Sequence, residues 1–218
     1  MPIMQGPMKG MRWVVGSGDH GYWLGSYELA FQNLFAGTVQ TGDVVFDIGA
    51  HVGYYTMLAA RRVGPNGHVY AFEPLPRNAA FLTRHILIND LDNVTLRQLA
   101  ISDQVGSVHF GGGISSSTGR ITQDGELEVD AAALDNLLES ENITPPSVLK
   151  IDVEGAEAAV LKGGEKLLRH HQPVIFLATH GSEVREECRS VLSSLNYSLQ
   201  PINAERGPDA SEFFASPA

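Results

Sequence analysis

The stretch VVFDIGAHVGYYT, residues 44–56, changes abruptly from a strand pattern to a helix pattern. Residues 44–46 and Ile48 are β-branched or aromatic, which is typical of a strand buried on both faces in a parallel sheet. Gly49 and Gly53 allow the backbone to approach a ligand closely, and the next helix presents free N–H groups and the positive end of its dipole. The stretch therefore predicts a turn that holds a nucleotide-like cofactor, with the kind of cofactor left open.

Length and composition favour one globular domain. The chain has 218 residues, of which 43% are hydrophobic and 18% charged, enough for one full core and too few for two ordinary domains. Lys and Arg number 15 against 25 Asp and Glu, a formal net charge of -10. This balance gives no electrostatic footprint for nucleic acid or for an anionic membrane.

The single cysteine and the N-terminal sequence bear on the compartment. Cys188 has no partner for an internal disulfide or a cysteine metal cluster, which favours a reducing environment. The opening residues MPIMQGPMKGMRW lack the apolar run of a signal peptide, and nowhere do about 18 consecutive apolar residues indicate a membrane span. We therefore expect a cytoplasmic protein outside the membrane.

Strand and helix patterns alternate after the opening turn. Helices are predicted over 54–63, 76–90, 156–171 and 183–195, and strands over 68–72, 93–101, 147–153, 173–179 and 197–202. Residues 103–147 are irregular, with short strands, a short helix and the small-residue tract GGGISSSTG at 111–119, which is either a substrate lid or an exposed linker. The alternation predicts an α/β fold with a doubly wound, mostly parallel sheet flanked by helices.

In such a sheet, ligands bind beyond the carboxyl ends of the strands. The glycine spacing GAHVG lacks the middle glycine of a dinucleotide turn, which counts against NAD. Glu73 ends the second strand, where an acid suits the ribose of either NAD or S-adenosylmethionine. Asp47 favours a cofactor with a cationic amino-acid tail, since it would repel a pyrophosphate. The alternative interpretation of DIGAHVG is an ordinary strand-to-helix turn without a ligand.

Four stretches resemble the FkbM family of S-adenosylmethionine-dependent methyltransferases. They are VVFDIGAHVGYYTMLAA, VYAFEPLPRNAAFLTRHILIND, LAISDQVGSVHF and LKIDVEGAEAAVLKG, and they occur in the family's order. The resemblance extends from about Trp23 to the C-terminal EFFASPA. It implies a class I methyltransferase fold, which is Rossmann-like, and methyl transfer, usually to a hydroxyl oxygen of a natural-product or glycan-like acceptor.

The resemblance also implies a set of cofactor contacts and two departures from the family pattern. The contacts are Asp47, Gly49 and Gly53 at the methionine and ribose part, Glu73 at the ribose hydroxyls, Ser102 and Asp103 near the adenine edge, and Asp152 beside the methyl group. His51, in the same turn, stands where the family more often has asparagine. Ala178 stands where many members have glutamate, which weakens any mechanism that needs an acid on that strand.

Methyl transfer to an alcohol requires alignment of the acceptor and removal of a proton. His180 is the first candidate for the base, because imidazole titrates near neutrality and ATHG follows a strand; the alternative is a cap on the next helix. Asp152 and Glu154 offer a second base, two oxygens of a metal site, or a helix cap. No other acid is clearly spaced to complete a metal site, so we expect no metal.

The segment GSGDHGYWLGSYE, residues 16–28, resembles the family's N-terminal segment, which folds over the pocket. His20 is then a catalytic candidate and Glu28 a cofactor-binding one; the alternative is a lead-in whose aromatic residues pack on the core. We accordingly treat residues 1–35 as a pocket-covering lead-in and residues 36–218 as the cofactor-binding domain, within one globular unit.

We expect an S-adenosylmethionine-dependent O-methyltransferase that acts on a hydroxylated small molecule. An NAD-dependent oxidoreductase is disfavoured by the missing glycine, and a cofactor-binding module without chemistry is disfavoured by the intact Asp152 and His180. A nucleic-acid methyltransferase is disfavoured by the acidic balance and by the lack of an NPPY-like tetrapeptide after the fourth strand.

Overall fold

The computed structural model describes residues 1–111, 120–121, 125, 127–141, 143–203, 205, 207 and 210–218. Residues 112–119 of the predicted GGGISSSTG loop lie outside these residues. The helices are α1 (His20–Leu24), α2 (Leu29–Thr38), α3 (Tyr54–Val63), α4 (Pro76–Ile88), α5 (Leu134–Glu141), α6 (Glu157–Gly163), α7 (Glu165–His171) and α8 (Ser182–Ser194), with a 3-10 turn over Gly64–Asn66. The strands are β1 (Val44–Ile48), β2 (His68–Phe72), β3 (Val94–Arg97), β4 (Ala100–Ile101), β5 (Gly106–Gly111), β6 (Arg120–Ile121), β7 (Leu127–Ala132), β8 (Val148–Ile151), β9 (Val174–Ala178), β10 (Tyr197–Pro201) and β11 (Glu212–Pro217).

The central sheet has seven strands in the order β10-β11-β9-β8-β1-β2-β3. The five strands β9, β8, β1, β2 and β3 are parallel to one another, and β11 is antiparallel to both β9 and β10. A second sheet has four strands in the order β4-β7-β5-β6, and β4 follows β3 directly along the chain. The predicted doubly wound, mostly parallel α/β fold is confirmed.

Alternate residues of β1 point into different cores, because side chains of a strand alternate between the two faces of the sheet. Phe46 and Ile48 pack with α5 to α8, whereas Val45 packs with α2 and α3. Residues 45–48 are all buried, and the turn residue Gly49 is partly exposed. The strand is thus covered on both faces, as its composition predicts.

Two predicted elements are each divided in the structure. The predicted helix 156–171 breaks at Gly163 and Gly164 into α6 and α7; a Cβ on Gly163 would lie 2.1 Å from the carbonyl oxygen of Ser102, so only glycine fits there. The predicted strand 93–101 divides into β3, in the central sheet, and β4, which pairs with β7 of the second sheet. Both single-element predictions were wrong in this respect.

The N-terminal residues pack against α3 and α4 before the first strand begins. Ile3, Met8 and Trp13 are buried in the same core as α2 and α3. The predicted boundary after residue 35 falls inside α2, so that the lead-in and the domain share this helix. Among the described helices, none combines the length and apolar character needed to cross a membrane.

Candidate active site

A cavity that is open to solvent lies beyond the carboxyl ends of β1, β2 and β8. Four of the predicted site residues line it: Gly49, His51, Glu73 and Asp152. Glu154 lines it as well. These residues come from turns that follow three adjacent parallel strands, which is where an open α/β sheet binds its ligands.

The glycines of the β1 turn are required by neighbouring protein atoms. Gly49 has φ +76°, and a Cβ there would lie 1.8 Å from the backbone oxygen of Asp152, because the turns after β1 and β8 are in close contact. Gly53 has φ +97°, and a Cβ there would lie 2.3 Å from Leu82 Cδ1. The two glycines therefore bring the turn into contact with the β8 end and with α4.

His51 connects the β1 turn to the end of β2. Its φ is +52°, a region of backbone conformation in which Asn, Asp and His are enriched. Its backbone N–H donates to Glu73 Oε2 over 2.7 Å, and residue 51 lines the cavity. The backbone conformation gives a physical reason why asparagine and histidine both suit this position.

Glu73 is a buried carboxylate, only 4% exposed, at the cavity wall. Its Oε1 accepts from the backbone N–H of Leu75 at 3.0 Å and from Asn78 Nδ2 at 3.3 Å. Burial raises the pKa of Glu73, and these hydrogen bonds, with that from His51, oppose the rise. A carboxylate accepts about four hydrogen bonds, so the three protein donors leave capacity for a ligand hydroxyl.

Lys150 is a site residue that the sequence reasoning missed. It is 3% exposed, and its Nζ lies 3.4 Å from Asp47 Oδ1 and 3.5 Å from Asp152 Oδ2 and donates to the Gly49 carbonyl at 2.9 Å. Burial lowers the pKa of Lys150, but the negative charges of Asp47, Asp152 and Glu28 raise it by more than burial lowers it. The pKa is therefore well above its ordinary value. The signal in the sequence was a lone lysine within the buried strand pattern SVLKIDV.

Asp47 lies behind the cavity rather than in its lining. It is fully buried, and its Oδ2 accepts from the Thr56 hydroxyl at 2.6 Å. Its register partner on β8 is Lys150, so both side chains lie on the α3 face of the sheet. The predicted cofactor residue Asp47 thus contacts Lys150, which lines the cavity, and does not line the cavity itself.

His180 follows β9 and meets the acids that follow β8. Its Nδ1 lies 2.7 Å from Oε1 of the fully buried Glu157, and its Nε2 lies 3.7 Å from Asp152 Oδ1 and 3.5 Å from Glu154 Oε2. The hydrogen bond with Glu157 raises the pKa of His180 to about 9, against a lowering by burial. The imidazole is therefore protonated near neutral pH.

Four tyrosines form a wall of the cavity, and one of them contacts Glu28. They are Tyr22, Tyr27, Tyr54 and Tyr55, and the first three have ring centroids 4.4 to 5.5 Å apart. The Tyr55 hydroxyl donates to Glu28 Oε2 at 2.7 Å. Burial raises the pKa of all four phenols, so they are neutral hydrogen-bonding groups. Tyr27 both packs on the core and lines the cavity.

Seven predicted residues lie outside the cavity lining: Glu28, Asp47, Gly53 and His180, whose contacts are given above, and His20, Ser102 and Asp103. His20 is exposed at the start of α1, with its ring 6.0 Å from that of Trp23. Ser102 and Asp103 follow β4, and the Ser102 hydroxyl donates to Asp103 Oδ1 at 3.2 Å. The cavity wall next to them is apolar instead: Leu99, Ala100, Ile101 and Phe110 line it. The sequence reasoning did not identify this wall, because it depends on the second sheet.

The comparisons with known proteins agree with this geometry. Residues 47–199 match the family described as the methyltransferase FkbM domain. The hexuronic acid methyltransferase AglP of Haloferax volcanii is 27% identical over 169 residues, which covers 77% of this chain and 68% of the relative. The 2-O-methyltransferase NoeI of Sinorhizobium fredii is 28% identical, with 57% of this chain and 58% of the relative covered. The crystal structure of methyltransferase FkbM from Methylobacillus flagellatus shares the fold, with a TM-score of 0.58 at 15% identity, covering 91% of this chain and 55% of that one.

Proposed function

Because the chain belongs to the FkbM methyltransferase family, we propose that it transfers a methyl group from S-adenosylmethionine to a hydroxyl oxygen of a small molecule, sugar or natural product. One observation carries the proposal: a buried carboxylate, Glu73, lines a cavity beside the β1 turn and the β8 end. Membership of a methyltransferase family disfavours the NAD-dependent oxidoreductase alternative, because the chemistry of the family is methyl transfer.

The residues present fit S-adenosylmethionine. Glu73 would accept hydrogen bonds from the ribose hydroxyls, and the apolar wall at 99–101 would pack on the adenine. The carboxylates of Asp47, Asp152 and Glu28 surround the single ammonium of Lys150, an excess of negative charge that suits a cofactor with a sulfonium and an ammonium group. Gly49, His51 and Gly53 would hold the turn in place against the cofactor.

The bound cofactor supplies an electrophilic methyl group, to which the acceptor oxygen forms a bond as the carbon–sulfur bond breaks. The chain must hold the acceptor and remove its proton. Protonated His180, whose Nε2 lies 3.7 Å from Asp152 Oδ1, takes up no proton. Asp152, which lines the cavity, accepts the hydroxyl proton. This assignment of the base differs from the one expected from the sequence, in which His180 was the first candidate. A catalytic role for the exposed His20 stays a prediction.

Similarity supports a hydroxylated, sugar-like acceptor. NoeI is a 2-O-methyltransferase, and AglP acts on hexuronic acid. The tyrosine wall offers neutral hydroxyl groups and ring faces, both of which suit a polyol. The acceptor half of the cavity therefore has the chemistry for a sugar or a similar alcohol.

The test is a transfer assay with methyl-labelled S-adenosylmethionine and a panel of sugars, hexuronates, polyols and matched amines. We expect label in a methyl ether, located by NMR. Asp152→Asn should lower turnover by about 100-fold, the magnitude typical of general base catalysis, a much larger loss than its loss of S-adenosylhomocysteine affinity. His171→Ala, a change at an exposed residue of α7, is the matched control. Label on nitrogen only, or equal turnover in both variants, would refute the proposal.

A further inference from the structure

Three side chains that meet beyond β8 and β9 have the donor set of a metal site. The sequence placed Asp152 and Glu154 together but offered no third ligand. The fold supplies it, because His180 follows β9, the strand next to β8. One ligand atom from each of the three residues lies within 4.8 Å of the other two. We propose that Asp152, Glu154 and His180 bind a divalent transition-metal ion at the edge of the cavity, which Asp152 and Glu154 line.

The distances require only a small adjustment to accept an ion. His180 Nε2 is 3.7 Å from Asp152 Oδ1 and 3.5 Å from Glu154 Oε2. A metal–ligand distance of about 2.1 Å places adjacent ligand atoms about 3.0 to 3.4 Å apart in octahedral or tetrahedral geometry. Along these two contacts the ion would thus bring His180 Nε2 and the carboxylate oxygens closer by a few tenths of an ångström. Their side chains are 29 to 40% exposed, so an ion can enter from the cavity.

The surroundings of His180 are those of a metal ligand. Nδ1 is held by the buried Glu157 carboxylate at 2.7 Å, and a carboxylate on one ring nitrogen fixes the proton there and leaves the other nitrogen free to coordinate. Glu157 is in this sense a positioning residue. Asp152 binds Lys150 through its Oδ2 and faces His180 with its Oδ1. Coordination through Oδ1 would therefore leave the Lys150 contact intact.

The ligand set determines the kind of ion. Imidazole suits zinc and other first-row transition metals, whereas carboxylates suit manganese and magnesium. A set of two carboxylates and one imidazole fits Mn²⁺ or Zn²⁺ better than Mg²⁺, which is bound mainly by oxygen. Three protein ligands leave coordination positions for water or for the acceptor.

The role of the ion rests on the proposed function. The ion would lower the pKa of an acceptor hydroxyl placed on it, so that the proton would pass to solvent as the oxygen takes the methyl group. The positive charge of the ion then replaces the proton on His180 Nε2. Metal binding itself does not depend on methyl transfer and is measured separately.

The test is a Mn²⁺ titration of the purified chain, followed by the electron paramagnetic resonance signal of free Mn²⁺. We expect one bound equivalent, with affinity at least about tenfold weaker in Glu154→Gln and in His180→Ala, and about ten- to a hundredfold weaker in Glu157→Gln. Glu139→Gln, which changes an exposed acid paired with Lys166, is the matched control and should bind as wild type does.

Each outcome of this titration decides the proposal. Glu154→Gln changes a partly exposed side chain and is the variant expected to fold normally; equal Mn²⁺ affinity in wild type and this variant would overturn the site. Calorimetric titration of the same samples with S-adenosylhomocysteine separates the two claims. Cofactor binding without Mn²⁺ binding overturns only the metal site, whereas Mn²⁺ binding without cofactor binding overturns only the proposed function.

Discussion

At the scale of single residues, Lys150 determines the charge balance behind the cavity. Its ammonium contacts Asp47, Asp152 and the Gly49 carbonyl, and so connects the ends of β1 and β8. Neither Asp47 nor Lys150 has appreciable contact with water. A buried ion pair is costly to break, because the remaining charge has no compensation.

We predict that Lys150→Met lowers the free energy of unfolding by about 3 to 5 kcal/mol, the cost of leaving a buried charge alone. The double variant Lys150→Met with Asp47→Asn should recover part of this loss, since no buried charge remains. Urea unfolding of the three proteins measures the effect. Equal stability of the single and the double variant would contradict the role assigned to the pair.

Gly49 is the second residue whose identity is physically required. We predict that Gly49→Ala lowers the free energy of unfolding by about 2 to 4 kcal/mol, because of the contact with the Asp152 backbone and the positive φ. Gly37→Ala is the control, since a Cβ there meets nothing within 4 Å; in a helix it should stabilise by about 0.5 to 1 kcal/mol. Urea unfolding that gives the two variants the same sign would count against this account.

At the scale of elements, the N-terminal segment is held against α4 by His85. The fully buried imidazole stacks on Trp13 with ring centroids 4.1 Å apart, and its Nδ1 lies 2.7 Å from the Val52 carbonyl. Its Nε2 accepts from the Val14 N–H at 3.0 Å. Both contacts require the neutral ring with a proton on Nδ1, because a protonated Nε2 cannot accept. The segment is therefore bound through an uncharged histidine.

This arrangement predicts a loss of stability in acid. Burial, with the nearby Arg84, lowers the pKa of His85 below its ordinary value of 6.5, against the hydrogen bond to Val52. The unfolded chain then binds the proton more readily, so stability falls as the pH drops below about 6.5 towards the lowered pKa. Unfolding free energies at about pH 7.5 and 5.5 measure this fall.

The variant His85→Gln isolates the contribution of His85. The pKa of His68 is also lowered by burial and has the same sign, whereas the raised pKa of His180 acts with the opposite sign, so the wild-type change alone does not identify the group. We expect the fall between the two pH values to be smaller in the variant than in the wild type. An identical fall in both proteins would show that His85 is not responsible.

At the scale of the whole molecule, the sequence predicted what depends on local pattern. The strand ending at Ile48, the glycine turn, Glu73 and Asp152 all follow from residues close together in the chain. The second sheet and the C-terminal strand β11 depend on pairing between distant segments, for which no local pattern exists, whereas the break between α6 and α7 had a local signal in the adjacent Gly163 and Gly164. Lys150 and the His180 contacts were missed for the same reason: their partners lie on other strands.

The central claim for the whole molecule is that the cavity binds S-adenosylmethionine through Glu73. The most direct measurement is calorimetric titration of the purified chain with S-adenosylhomocysteine and, in parallel, with NAD. The account predicts micromolar binding of S-adenosylhomocysteine and no binding of NAD. In Glu73→Gln, the affinity for S-adenosylhomocysteine should be at least about tenfold weaker, because a charged hydrogen bond contributes about 1.5 to 3 kcal/mol. Binding of NAD alone, or S-adenosylhomocysteine binding that is unchanged in Glu73→Gln, would contradict it.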